Sequence, residues 1–119
     1  MLTLNVPYLQ AALLSTSTSE TRYYLCGVQI LRRGDHLRIA STDGHRLFCA
    51  SQHTDHAGPD FDIILPRVEL KKALTGLNRK VEAVDLELTH GVSRVTRAVL
   101  NNLSMQPIDG TFPSIERVV

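Results

Sequence analysis

Short segments in which apolar and polar residues alternate recur along the chain and predict half-buried β-strands. In a strand, successive side chains point to opposite faces, so an apolar residue at every second position marks one buried face. The apolar positions of these segments are Leu2, Leu4 and Val6; Cys26, Val28 and Ile30; Leu37 and Ile39; Phe61, Ile63 and Leu65; and Val84, Leu86 and Leu88. Both halves of the chain therefore contain strands.

Two segments depart from this alternation and predict helices. The first, PYLQAALL, starts at Pro7, and a proline is tolerated there because the N–H group it lacks would have had no partner within the helix. The second, PRVELKKALTGL, starts at Pro66 and carries basic residues away from its apolar stripe. The stripe comprises Leu70, Ala73, Leu74 and Leu77, and the basic residues are Arg67, Lys71 and Lys72.

The elements follow one another as strand, helix and a group of strands, and this order then repeats. Within each group the links are as short as hairpins, at Arg33-Gly34-Asp35, Asp43-Gly44 and His90-Gly91, which favours antiparallel pairing. The pattern predicts an α+β fold made of two strand-helix-strands units, with the two helices packed on antiparallel sheets. Residue identity between the halves is weak, so the predicted duplication rests on the order of elements.

Length and composition limit the classes of protein that fit. A chain of 119 residues predicts one domain, covering residues 1–119. The hydrophobic fraction of 43% and the charged fraction of 21% are typical of globular proteins and argue against a disordered or fibrous chain. Thirteen Lys and Arg against twelve Asp and Glu give a net charge of +1, so contact with nucleic acid requires an uneven placement of charge.

The cysteines and the N-terminus indicate the cellular compartment in which the protein resides. Cys26 and Cys49 each lie in an apolar stretch without a CxxC partner, which predicts buried, reduced thiols. The N-terminus lacks the basic and apolar regions of a signal peptide, and no apolar run approaches the roughly 20 residues of a membrane helix. We therefore expect a soluble, cytoplasmic protein without a membrane partner.

Four segments carry a specific resemblance to a known family. They are TRYYLCGVQI at 21–30, LRIASTDGHRLFCAS at 37–51, ILPRVELKKAL at 64–74 and IDGTFPSIERVV at 108–119. At these spacings they are similar to the middle domain of the bacterial DNA sliding clamp, the beta subunit of the replicative DNA polymerase III. The resemblance implies a DNA-clamp domain from a family in which six similar domains encircle duplex DNA. It also implies a noncatalytic processivity factor that tethers partner proteins to DNA.

A subunit of that family has three domains, whereas this chain matches only the middle one. It is a self-standing clamp whose copies assemble, an isolated clamp-like binding domain, or an excised piece of a longer protein; Met1 followed directly by a strand favours a natural start. As a clamp it requires a closed homo-oligomer, and six copies reproduce the family's ring. The alternative is a monomeric peptide-binding module that does not encircle DNA.

The resemblance also implies a shallow apolar groove that binds short linear peptides of DNA polymerases, clamp loaders and repair proteins. The matching residues are Leu25, Thr42, Gly44, His45, Arg46, Leu47, Pro113, Arg117 and Val118. Leu25, Leu47 and Val118 would form apolar walls, with both arginines at the rim, a mixture suited to anchoring a peptide's Leu or Phe. The structural alternative is an ordinary hairpin in which Asp43-Gly44 supplies a positive φ.

Positive charge concentrates on the second predicted helix. Residues 66–80 contain five basic residues and one acidic residue, whereas residues 81–90 contain three acidic residues and no Lys or Arg. Clamp helices of the family face DNA phosphates, so the resemblance implies sequence-independent binding of double-stranded DNA that weakens with salt. The implied DNA-binding residues are Arg22, Tyr24, Arg67, Lys71 and Lys72. The alternative is a solvated helix face.

The sequence indicates no catalytic chemistry. His53, Asp55 and His56 lie close together, but in a polar connection without a second set of ligands at metal-site spacing. The motifs GxSxG, HExxH and GxGxxG and the P-loop are absent. We therefore expect no enzymatic activity, no metal and no cofactor.

Overall fold

The described part of the chain forms eight strands and two helices in the predicted order. The computed structural model describes residues 2–17, 25–54, 58–77, 80–92, 95–109 and 111–113. The first unit comprises β1 (Leu2–Asn5), α1 (Val6–Leu13), β2 (Gly27–Arg33), β3 (His36–Thr42) and β4 (Leu47–His53). The second comprises β5 (Phe61–Pro66), α2 (Arg67–Leu74), β6 (Ala83–His90), β7 (Val95–Leu100) and β8 (Leu103–Met105). The repeated order of elements is confirmed, although Val6 opens α1 instead of ending the first strand.

The strands described pair antiparallel, as predicted, in two sheets that exchange their first strands. Sheet 1 has the order β1-β6-β7-β8 and sheet 2 has the order β4-β3-β2-β5. β1 pairs with β6 of the second unit, with Leu2 opposite Leu86, and β5 pairs with β2 of the first unit, with Ile63 opposite Ile30. Neither unit therefore has a complete sheet without the other.

One apolar core joins the inward faces of both sheets and one face of each helix. α1 packs on β2, β3 and β4 of sheet 2, α2 packs on β5 and β8, and the two helices contact each other. The fully buried side chains include Leu4, Leu9, Ile30, Leu65, Leu70 and Leu86. Neither described helix, at eight residues each, is long and apolar enough to span a membrane.

The start of α1 is fixed by Asn5, the residue before the helix. Its side-chain oxygen accepts a hydrogen bond from the Tyr8 N–H at 3.0 Å, which satisfies one of the unpaired N–H groups of the first turn. The Asn5 N–H donates to Gln52 Oε1 at 2.9 Å, and Gln52 Nε2 donates to the Thr3 carbonyl at 2.8 Å. One side chain of β4 thus ties sheet 2 to the first strand of sheet 1.

The cysteines are not both buried, although the sequence predicted that they would be. Cys26 is half-buried and Cys49 is exposed. Side chains alternate along β4, and Phe48 packs against the core, so its neighbour Cys49 points outward. The apolar stretch around Cys49 reflects one buried face of the strand rather than burial of the thiol.

Candidate functional site

The predicted hairpin between β3 and β4 is present, but its loop is longer than a two-residue Asp-Gly turn. Thr42 pairs with Leu47, so the loop has four residues, from Asp43 to Arg46. Gly44 has a φ of 94°, which confirms the positive φ predicted for this position. A side chain with a Cβ atom would be strained there.

The Asp43 carboxylate organises this loop. Asp43 Oδ1 accepts hydrogen bonds from the N–H groups of His45 and Arg46, both at 2.8 Å, and Oδ2 accepts one from Arg46 Nε at 3.2 Å. The two backbone N–H groups, assisted by Arg46, lower the pKa of Asp43 from 3.8 to about 2. The Thr42 hydroxyl donates to the Arg46 carbonyl at 2.6 Å and accepts from the Gly44 N–H at 3.1 Å. The loop is therefore held by its own side chains before any ligand arrives.

Arg46 also links the loop to the first helix. Its Nη2 donates to the carbonyl of Leu14, the residue that ends α1, at 3.0 Å. The side chain remains 64% exposed, so it can contact a ligand from this position. Sequence analysis placed Arg46 at a groove rim, and the structure adds a structural contact at the C-terminal end of α1.

An apolar cluster lies beside this loop and is separate from the main core. It comprises Ala40 of β3, Ile64 of β5 and Phe112, with Leu47 and Ile108 packed against them. The Ile108 N–H donates to the Ile64 carbonyl at 2.9 Å, which fixes the C-terminal segment along β5. Pro113 directly follows Phe112 and is half-buried. Ile108 and Phe112 therefore supply part of an apolar surface that also includes Leu47 at the start of β4.

The remaining predicted groove residues differ in their burial and in their distance from the apolar cluster. Leu25 is only 3% exposed and lies outside this cluster, although its carbonyl accepts from the Ser17 N–H at 2.9 Å, close to the α1 end that Arg46 contacts. His45 is exposed on the loop. Arg117 and Val118 lie outside the described residues. Thr42, Gly44, His45, Arg46 and Leu47 thus lie in or beside one loop, Pro113 follows a residue of the apolar cluster, and Leu25 is almost completely buried.

The second candidate surface is the face formed by the two helices. Lys71 and Lys72 are exposed on α2, as predicted, whereas Arg67 is half-buried and its Nε has no hydrogen-bond acceptor among the described residues. Glu69 lies in the first turn and both lysines in the last turn, an arrangement that the helix dipole favours. Arg22 and Tyr24, the other predicted DNA-binding residues, lie outside the described residues.

Negative charge is exposed elsewhere, on sheet 1. Glu82 precedes β6, and Asp85 and Glu87 point outward from that strand while Val84 and Leu86 face the core. The strand period therefore separates these acidic side chains from the core. Exposed lysines lie on α2, and Arg33 of β2 and Arg97 of β7 are exposed on the sheets. The uneven placement of charge predicted from the sequence is present in three dimensions.

The histidine cluster considered as a metal site has a different environment. His53 Nδ1 and His36 Nε2 each lie 3.5 Å from an oxygen of Asp35, and both imidazoles are exposed. Asp55 and His56 lie outside the described residues. In the described part of the chain, no group of three or more His, Cys, Asp or Glu side chains is arranged to hold a metal ion.

Sequence analysis missed several residues of these surfaces. Ala40, Ile64, Ile108 and Phe112 form the apolar cluster, yet none was singled out as a site residue. The signal for Ile108 and Phe112 was their apolar character in a segment otherwise rich in polar and turn residues. Leu14, which is 75% exposed at the end of α1, gave no signal because it continues an apolar run.

Two helices and two sheets with exchanged first strands are the arrangement of a DNA-clamp domain. The DNA polymerase sliding clamp of Bacillus subtilis has a TM-score of 0.79 over 98% of this chain and 32% of its own length, at 23% identity. The DNA polymerase III beta subunit of Pseudomonas aeruginosa has a TM-score of 0.76 over 100% of this chain and 34% of its own, also at 23% identity. These likenesses show the fold.

Sequence comparison then defines the family. The family model for the central domain of the DNA polymerase III beta subunit matches residues 7–114. The beta sliding clamp of Escherichia coli strain K12 is 30% identical over 115 residues, which cover 93% of this chain and 30% of the relative. That of Caulobacter vibrioides strain NA1000 is 33% identical over 108 residues, or 87% of this chain and 29% of the relative. The chain belongs to the family of this central domain, as the resemblance predicted, and spans less than a third of these relatives.

Proposed function

We propose that this chain acts as a noncatalytic sliding-clamp domain that keeps partner proteins on double-stranded DNA. The observation that carries the proposal is the separation of charge in a clamp fold: Lys71 and Lys72 are exposed on α2, and the carboxylates of Asp85 and Glu87 are exposed on sheet 1. The lysines attract phosphates to α2, while the carboxylates repel DNA from the part of sheet 1 that carries them.

The chemistry of this contact suits sliding. Lysine ammonium groups attract phosphates without reading base edges, so the interaction does not depend on sequence. Each phosphate contact releases condensed counterions, which makes binding weaken steeply as salt rises. A domain that holds DNA only by such contacts can move along the duplex.

The DNA-facing role of α2 is tested by reversing its charge. We expect Lys71→Glu with Lys72→Glu to weaken association with a short duplex and to flatten its dependence on salt, because two phosphate contacts are lost. Both side chains are exposed, so the fold should persist, as circular dichroism can check.

The matched control is Arg33→Glu with Arg97→Glu, which lowers the net charge by the same amount at exposed positions on the two sheets. If both double variants weaken DNA binding equally across a salt titration, the effect comes from net charge and α2 is not the DNA-facing element.

We further propose that the loop Asp43–Arg46 and the apolar cluster beside it bind linear peptides of DNA polymerases, clamp loaders or repair proteins. Leu47 offers apolar surface next to an exposed arginine, and this pairing of an apolar anchor site with a charged rim is typical of peptide grooves. In the family resemblance, Leu25, Pro113, Arg117 and Val118 belong to the same groove.

A ring made of this chain requires several copies, and the edge strand β4 supports their association. β4 has one neighbour, β3, and its sequence LFCASQH contains none of the Lys or Pro residues with which proteins discourage pairing of edge strands. Head-to-tail contact of such an edge with sheet 1 of the next copy gives a closed ring if the rotation between copies is 60°, and six copies then reproduce the six-domain ring of the family resemblance. The alternative is a monomeric peptide-binding module that does not encircle DNA.

A further inference from the structure

The two helices enclose a small groove whose lining is unlike that of a plain phosphate-binding surface. Leu13 and Leu14 of the α1 end and Leu74 of α2 contribute apolar surface, and Gln10 and Thr75 lie at its margins. The groove has a volume of about 310 Å³. Leu14 is 75% exposed, so most of its side chain is accessible to a partner.

The cations of this groove lie on one side of it. Arg67 and Lys71 are four residues apart on α2, so they project from the same face of the helix, and both line the groove. Lys72 does not line it, because one further residue turns the side chain about 100° around the helix axis. Arg67 is half-buried, and its Nε is buried without a hydrogen-bond acceptor among the described residues.

We propose that this interhelical groove docks an acidic segment of a partner protein that also carries an apolar side chain. Carboxylates pair with Arg67 and Lys71 by charge-assisted hydrogen bonds, and a leucine-like side chain covers Leu14 and Leu74. The DNA backbone offers phosphates to Arg67 and Lys71, but it has no protruding apolar side chain that could cover Leu14. A short segment with both features complements the groove better than the DNA backbone does.

This inference goes beyond the proposed function, because it does not require the chain to bind DNA. Where both hold, an acidic segment in the groove occupies Lys71, and DNA and the segment compete. The test is therefore made first in the absence of DNA, so that failure of one proposal is distinguishable from failure of the other.

The probe is a labelled synthetic peptide with two leucines one helical turn apart between glutamates, titrated onto the chain by fluorescence anisotropy. We expect Leu14→Ser to weaken binding about tenfold, because a central apolar contact is lost. We expect Lys71→Ala to weaken it about two- to fivefold, as for other exposed ion pairs. Both residues are exposed, so neither change should unfold the protein.

Two matched controls lie on α2, the helix that carries Lys71. Lys72→Ala removes an equal charge, and Val68→Ser removes an exposed apolar side chain of α2 that does not line the groove. Neither control should change the affinity. A peptide with serines in place of the leucines should bind more weakly than the parent peptide.

Three results would overturn the proposal. One is no binding of the parent peptide at millimolar concentration. Another is an equal loss of affinity in Lys71→Ala and Lys72→Ala, since that indicates diffuse attraction to the helix surface. The third is a short duplex that shifts the backbone amide resonances of Leu13 and Leu14 while the peptide does not, because the groove then belongs to DNA.

Discussion

At the scale of single residues, Asp43 shows how one side chain fixes a loop. Its carboxylate is held by two backbone N–H groups, and those bonds are strongest when the carboxylate is charged. The pKa of Asp43 is low because these hydrogen bonds stabilise the charged carboxylate. Asp43 therefore acts on the candidate groove by shaping the backbone that carries Gly44, His45 and Arg46.

The pKa of Asp43 predicts a pH dependence of stability. Because folding lowers this pKa from 3.8 to about 2, the stabilisation is fully present above about pH 5 and is lost as the pH falls from about 4 towards 2. We expect the difference in free energy of unfolding between the parent chain and Asp43→Asn to shrink over that window. Urea unfolding at a series of pH values measures this difference.

An NMR titration of the Asp43 side chain provides an independent check. A midpoint close to 4 would contradict the bonding described for the loop, whereas a midpoint near 2 supports it.

Gly27 is a residue-scale constraint of another kind, set by packing. A Cβ atom here would meet the Leu65 carbonyl and would lie 2.6 Å from Ile64 Cγ2 and 3.0 Å from Ile108 Cδ1. We expect Gly27→Ala to destabilise the chain by about 1–3 kcal/mol in urea unfolding, because the added methyl group overpacks the site where β2, β5 and the C-terminal segment meet.

The control for this prediction is Gly34→Asn. Gly34 has a φ of 61°, a Cβ atom added to it would meet no other atom within 4 Å, and asparagine tolerates that backbone conformation. A loss of stability in Gly34→Asn as large as that in Gly27→Ala would show that close packing is not what requires Gly27.

At the scale of elements, Arg46 connects the β3–β4 loop to the end of α1. The same guanidinium holds Asp43 and the Leu14 carbonyl, and Leu14 lines the groove between the helices. The peptide-binding loop and the interhelical groove therefore meet at Leu14. The last carbonyl groups of a helix lack partners within the helix, and Arg46 of the loop donates a hydrogen bond to one of them.

We expect Arg46→Ala to weaken binding of a peptide with a Gln and paired Leu and Phe anchors several-fold, with a stability loss below about 1 kcal/mol because its contacts are exposed. Gly44→Val should lower both the peptide affinity and the free energy of unfolding, since a β-branched residue is strained at a φ of 94°. Amide chemical shifts of residues 42–47 on peptide titration measure the binding.

Arg97→Ala is the control for the peptide experiment, because Arg97 is an exposed arginine on β7 that donates to Ser104 at 2.7 Å, away from the loop. If Arg97→Ala lowers peptide affinity as much as Arg46→Ala does, or if residues 42–47 show no shifts at millimolar peptide, the loop is not a peptide site in this chain.

At the scale of the whole molecule, a body of 35 × 32 × 24 Å cannot surround a duplex alone, so encirclement is a property of an assembly. We expect sedimentation over a wide concentration range to show a closed species with six times the 13.2 kDa mass of one chain. Cys49→Lys, which places a charge on the edge strand β4, should shift the population towards monomer.

The control for assembly is Cys49→Ser, which also removes disulfide-linked species formed through the exposed thiol. A monomer at every concentration, with and without DNA, would favour the monomeric peptide-binding module instead.

The sequence by itself predicted both helices, five of the eight described strands and the repeated order of elements. The alternation of apolar and polar residues marked β2, β3, β5 and β6, because burial of one face of each strand in the core is favoured by the hydrophobic effect. Prolines marked both helix starts, and the order of elements predicted the duplicated unit. The resemblance in four segments identified the family because those segments occur at its spacing.

Only the tertiary structure decided which strands share a sheet and which side chains meet. Exchange of β1 and β5 between the units depends on pairing between distant segments, which no local pattern reports. The same reason applies to the contact of Arg46 with the Leu14 carbonyl, 32 residues away in the chain, and to the packing of Phe112 against Ala40 and Ile64. The Asn101-Asn102 turn, with φ values of 49° and 67°, also escaped prediction, although asparagine is among the residues that tolerate this conformation. Local patterns record which side chains avoid water, whereas partners far apart in the chain are chosen by the packing of the whole fold.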